Sequence, residues 1–125
     1  MRLLIINGSP RGNGSNSLVI AKHFLNGVKA SLQNNLQLEV LNLIEEHSAL
    51  SDVTEKIAVA DKVLFAFPLY VDSMPGLVME LFESLCNLKG KLSGKEFLFS
   101  IQCGFPETLN LRFVERYLQK LAGRL

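Results

Sequence analysis

Four short apolar runs alternate along the chain with four stretches whose apolar residues recur every three or four positions. This alternation restricts the possible folds more than any other feature of the sequence. "LLII" (3–6), "KVLFAF" (62–67) and "EFLFSI" (96–101) are nearly continuous apolar segments, the pattern of a strand buried on both faces. "LQLEVLNL" (36–43) instead alternates Leu36, Leu38 and Val40 with Gln37 and Glu39, which reads as an edge strand with one more exposed face. Between the runs, Leu18, Ala21, Leu25, Val28 and Leu32 mark a first helix, with Ser15, Asn16 or Ser17 as its cap. Val53, Ile57 and Ala60 mark a second helix, and Leu77, Val78, Leu81, Phe82 and Leu85 a third. Asp72 and Ser73 are expected to cap the third helix, and Pro75 to sit in its first turn. A fourth helix carries Leu109, Phe113, Val114, Tyr117, Leu118 and Leu121 on its core face.

Strands and helices in this order predict an α/β fold with a parallel sheet covered on both faces. The 125 residues are enough for one domain, 1–125, and a hydrophobic fraction of 48% against 20% charged residues supports a packed core over a disordered chain. The net charge is +1 and the thirteen Lys and Arg are scattered, so no nucleic-acid footprint is visible. No apolar run approaches the roughly 20 residues that span a bilayer. "MRLLIING" turns polar too early for a secretory signal, so a cytoplasmic protein is expected. Cys86 and Cys103 are too far apart in sequence for a CxxC motif, and Cys86 is expected in the core. His23 and His47 suggest no ligand pair, and no metal site is expected.

Sheets of this kind bind ligands beyond the carboxyl ends of their strands, which directs attention to three loops at 7–17, 68–75 and 102–107. The first reads "NGSPRGNGSNS" and leads from a strand into a helix N-terminus. Such a junction aims unpaired N–H groups and the positive end of the helix dipole at one spot, and so suits an anion. Ser9, Ser15, Asn16 and Ser17 add donors and Arg11 adds a charge. A bare turn and cap need far fewer such residues. A nucleoside-triphosphate loop would place Lys-Ser or Lys-Thr after the last glycine, but Gly14 is followed by Ser15 and Asn16. The dinucleotide pattern GxGxxG also fails, because Gly8, Gly12 and Gly14 have the wrong spacing. A phosphorylatable receiver domain would have acidic residues where Asn7 and Pro68 stand.

The segments "GSPRGNGSNS" (8–17) and "PLYVDSMP" (68–75) together resemble those of the flavodoxin-like NAD(P)H-dependent FMN reductases and oxidoreductases. The likeness follows the order of elements along essentially the whole chain. It implies a three-layer α/β/α sandwich with FMN as cofactor and NADPH or NADH as co-substrate. Ser9, Arg11, Ser15, Asn16 and Ser17 would then serve the phosphate. Pro68, Leu69, Tyr70 and Val71 would line the flavin ring, with Cys103 and Gly104 facing it from the other side. The flavin would carry the chemistry, so no catalytic acid, base or nucleophile is required, and the electron acceptor would be a small molecule. An electron carrier of the flavodoxin type uses the same cofactor but tends to be strongly acidic, unlike this chain, while a flavin-free interaction domain would be colourless.

Family members have five strands in the order 2-1-3-4-5, whereas four are legible here. The expected order is therefore 2-1-3-4 with the fifth strand missing, as in a fragment, a natural short form or a domain that its partner completes. The fourth strand would then be an unprotected apolar edge. Self-association as a dimer or larger homo-oligomer is expected from that edge.

Overall fold

The structure, a computed structural model, describes residues 1–32, 35–106 and 108–125. The side chain of Leu32, expected on the first helix's apolar stripe, and all of Glu107, expected to close the third loop, lie outside the described residues. The strands are β1 (Arg2–Asn7), β2 (Gln37–Asn42), β3 (Lys62–Pro68) and β4 (Glu96–Gln102), and the helices are α1 (Asn16–Leu32), α2 (Leu50–Val59), α3 (Gly76–Leu85) and α4 (Arg112–Ala122). All strands pair in parallel in the order β2-β1-β3-β4. This is the expected four-stranded flavodoxin-like arrangement.

Alternation along the strands sends successive side chains to opposite faces of the sheet. Leu4, Ile6, Val63, Phe65 and Phe67 pack on one face with Val53 and Ile57 of α2, Val78, Leu81, Phe82 and Leu85 of α3, and Val114, Leu118 and Leu121 of α4. Leu3, Ile5, Leu64 and Ala66 pack on the other face with Ala21 and Leu25 of α1. Aromatic contacts add to the parallel pairing that ties β4 to β3. The Phe65 ring stacks on Phe99 at 5.5 Å and meets Phe97 edge-on at 5.7 Å and Phe82 edge-on at 5.1 Å, pairs worth about 0.5–1.5 kcal/mol each beyond their buried area. From Phe97 to Gln102 the strand is only half-buried, as befits the end of the sheet.

Several local expectations are corrected. Pro75 is the N-cap of α3 rather than part of its first turn, and neither Asp72 nor Ser73 caps that helix. Both residues belong instead to a tight turn described below. Phe113 is exposed because it lies one residue, about 100° of helix, before the buried row Val114, Leu118 and Leu121. Leu109 is exposed because it falls in a 3₁₀ turn, Thr108–Leu111, which breaks the helical phase. Val40 also faces solvent, leaving Leu41 and Asn42 as the buried end of β2. Cys86 is exposed just past the end of α3, its thiol 3.7 Å from the Phe82 carbonyl.

Candidate functional site

The loops after β1, β3 and β4 meet at the carboxyl end of the sheet in a cleft of about 270 Å³. Ser9, Arg11 and Asn16 line it from the first loop, Pro68, Leu69 and Tyr70 from the second, and Gln102, Cys103 and Gly104 from the third. Eight of the candidate residues are thus neighbours in space, although the sequence separates the first and last by about a hundred positions. Backbone bonds hold the loops in place, with the Gly8 N–H donating to the Ala66 carbonyl at 2.8 Å and the Leu69 N–H to the Gln102 carbonyl at 2.7 Å.

The other three candidates lie off the cleft surface. Ser15 and Ser17 are buried. Ser15 is the N-cap of α1, its Oγ accepting from the Leu18 N–H at 3.2 Å, and it donates to Asn7 Oδ1 at 3.2 Å. The Ser17 Oγ accepts from Gln102 Nε2 at 3.3 Å, linking the third loop to the start of α1. Val71 is 97% exposed.

The donor chemistry of the first loop suits an anion. Asn16 and Ser17 open α1, and their N–H groups have no backbone partner among the described residues; these are the orphan amides of a helix start. The Ser9 Oγ accepts from the Arg11 N–H at 3.3 Å. Arg11 is exposed and forms no ion pair among the described residues, whose salt bridges join Lys56 to Glu39 and Lys62 to Glu96. A phosphate therefore fits the residues present. Among the described residues no cluster of His, Cys, Asp and Glu is placed to hold a metal ion.

The second loop is shaped by strain. Tyr70 and Ser73 exchange N–H to carbonyl bonds at 2.8 and 3.0 Å, while Val71 and Asp72 between them adopt φ of 50° and 60°. Two successive left-handed residues make a type I′ turn, normally built from Asn and Gly. A β-branched residue in that conformation is unusual. The turn leaves Tyr70 half-exposed at the cleft, its side chain not sequestered by the core.

Two residues outside the sequence-based candidates belong to the site's support: Asn7 and Asn42 are both buried beneath the first loop and hydrogen-bonded to each other. The available signal was an amide at the end of an otherwise apolar strand, since a polar group there must find partners.

A family model of the flavodoxin-like fold matches residues 1–125. Among solved structures, an NADH:FMN oxidoreductase in its apo form aligns with a TM-score of 0.76 and 22% identity, over 96% of this chain and 66% of that one. An FMN-dependent NADH-azoreductase from Bacillus anthracis, in complex with FMN, aligns with a TM-score of 0.77 and 17% identity, over 100% of this chain and 82% of that one. An oxidoreductase from Corynebacterium diphtheriae gives a TM-score of 0.77 and 20% identity, over 97% and 75%. The chain therefore spans only 66–82% of the length of these neighbours. No curated protein matches the sequence. With the four parallel strands in the order 2-1-3-4 and the family match running from the first residue to the last, the chain belongs to the flavodoxin-like fold family.

Proposed function

We propose that the cleft binds FMN and that the protein is an oxidoreductase using NADH or NADPH to reduce a small acceptor, such as a quinone, an azo or nitro compound, or free flavin. The carrying observation is the convergence in one cleft of the exposed Arg11, the first turn of α1 and the apolar wall of Pro68, Leu69 and Tyr70. The fold neighbours named as an NADH:FMN oxidoreductase and an FMN-dependent NADH-azoreductase support the reading.

On this reading Arg11, Ser9 and the backbone N–H groups of Asn16 and Ser17 hold the phosphate, and Ser15 keeps the helix start in place. Pro68, Leu69, Tyr70 and Val71 flank the ring, with Cys103 and Gly104 opposite. When bound, the flavin supplies the redox chemistry, accepting hydride from nicotinamide and passing electrons to the acceptor. The protein's share is binding and orientation, so the reaction requires no catalytic dyad in the cleft. A cytoplasmic location is part of the same proposal.

Titration by flavin fluorescence tests the assignment. FMN should bind in preference to riboflavin, and Arg11→Ala should cost FMN roughly 1.5–3 kcal/mol while leaving riboflavin unchanged. Equal losses for both flavins would refute the phosphate role. FMN-loaded protein should oxidise NADH or NADPH when a quinone or azo acceptor is present. A flavin that stays oxidised under anaerobic excess of both nucleotides points to an electron carrier, and a colourless, non-binding protein excludes both readings.

Self-association belongs to the same proposal. β4 ends the sheet half-buried, and beside it lies an open groove of about 580 Å³ that Phe99, Ile101, Leu111, Leu118 and Ala122 line together with Glu115 and Gln119. An apolar edge of this kind favours pairing with a second copy. Light scattering should report a dimer or larger species.

A further inference from the structure

We infer that Asn7, held in place by Asn42, is the positioning residue of the anion loop: it does not reach the cleft but sets the loop's shape before any ligand arrives. Asn7 is fully buried. Its Nδ2 donates to the Gly12 carbonyl at 2.8 Å and to Asn42 Oδ1 at 2.9 Å. Its Oδ1 accepts from the Ser9 N–H at 3.2 Å and from the Ser15 hydroxyl at 3.2 Å. The full capacity of a primary amide, two donors and two acceptor sites, is therefore used. The three contacts on the loop fall at its start, its middle and its helix cap, so one side chain fixes the segment that carries Arg11 and leads into Asn16.

The orientation of this amide follows from its partners. A backbone N–H can only donate and a carbonyl can only accept, so Ser9 and Gly12 together admit a single orientation of the Asn7 amide. Asn42 is held the complementary way round. Its Nδ2 donates to Glu45 Oε1 at 3.1 Å and to Asn13 Oδ1 at 3.0 Å, which leaves its Oδ1 for Asn7. The carboxylate of Glu45, an acceptor only, thus sets the direction of the relay from beyond the end of β2. An aspartate at position 7 would still serve Ser9 and Ser15. It would offer no donor to Gly12 or Asn42, and it would bury a negative charge under a loop read as an anion site. Neutrality at position 7 is the feature the relay preserves.

The inference rests on the proposed FMN reading for its ligand, so the experiment has one arm that needs no ligand. Amide hydrogen exchange of the folded, flavin-free protein should show residues 8–17 about tenfold less protected in Asn42→Ala than in the parent, with β3 unchanged. In the second arm, Asn7→Asp and Asn42→Ala should each weaken FMN about tenfold or more and riboflavin less than twofold. A merely structural role would weaken both flavins together. Unchanged loop protection in Asn42→Ala, or equal losses for the two flavins, overturns the inference. Should the parent bind neither flavin, the FMN reading and the ligand role of Asn7 fall together, while lowered loop protection in Asn42→Ala would still support the shape-setting role. Asn42→Ala leaves the Asn7 side chain itself intact and removes only its anchor, so the test survives if Asn7→Asp does not fold.

Discussion

The first and second loops stand at the same end of the same sheet and line the same cleft, yet their shapes are fixed by opposite means. Around the first, a buried side-chain amide reinforces the backbone bonds, and the segment from Gly8 to Ser15 rests on Asn7 at Ser9, Gly12 and Ser15. The second is held by backbone bonds, the reciprocal pair of Tyr70 and Ser73 and the Leu69 N–H on Gln102, with Val71 and Asp72 in left-handed backbone and turned to solvent. Support from below makes a loop rigid and intolerant of change, because each contact it loses leaves a buried polar group unpaired. Support from backbone pairing alone leaves the outer side chains free to vary, and here retains strain that a better turn sequence would relieve.

The comparison breaks most readily at Gly8. A Cβ on this residue would lie 2.3 Å from Val78 Cγ2 and 3.1 Å from Phe67 Cβ, both in the packed core. Gly8→Ala should therefore cost about 3 kcal/mol in urea unfolding. A loss under about 1 kcal/mol would mean that the first loop yields more easily than its contacts imply. Ser15→Ala comes next in size, removing the acceptor for the Leu18 N–H and the donor to Asn7. A destabilisation of about 1–2 kcal/mol is expected, measured in the same way.

The second loop should respond in the opposite direction. Val71→Asn combined with Asp72→Gly installs the preferred residues of a type I′ turn and should stabilise the protein by about 1 kcal/mol, seen as a higher melting temperature. If the melting temperature does not rise, the contrast between the loops is wrong. The smallest effect expected is a control at the far end of the sheet. Asp61 Oδ2 accepts from the Arg2 N–H at 2.7 Å, and this bond holds the exposed carboxyl below its ordinary value of 3.8. A lowered carboxylate stabilises the fold above its unfolded-state value, and that contribution is lost as pH falls through the folded one. Asp61→Asn should thus flatten the fall in melting temperature below about pH 4 while leaving both loops unaltered.

How far the sequence could be read follows from the range of each interaction. The βαβαβαβα order, the apolar strands, a cap for the first helix among Ser15, Asn16 and Ser17, and the placing of three loops at strand ends were all legible, because apolar period and capping involve residues within four positions of one another. The same local reasoning misplaced Asp72 and Ser73, since helix caps and tight turns draw on the same residue types. It also carried the helical phase back to Leu109 across a 3₁₀ turn that sequence does not announce.

By itself, then, the sequence determined which segments are strands and which helices, and that polar loops would crowd the carboxyl end of the sheet. Only the tertiary structure decided that Asn7 would meet Asn42 across 35 positions of sequence and that Gln102 would reach Ser17 across 85. Periodicity specifies which face of an element is buried, but the partner of a buried polar group is set by strand pairing and register, here Asn7 beside Asn42 at the ends of β1 and β2.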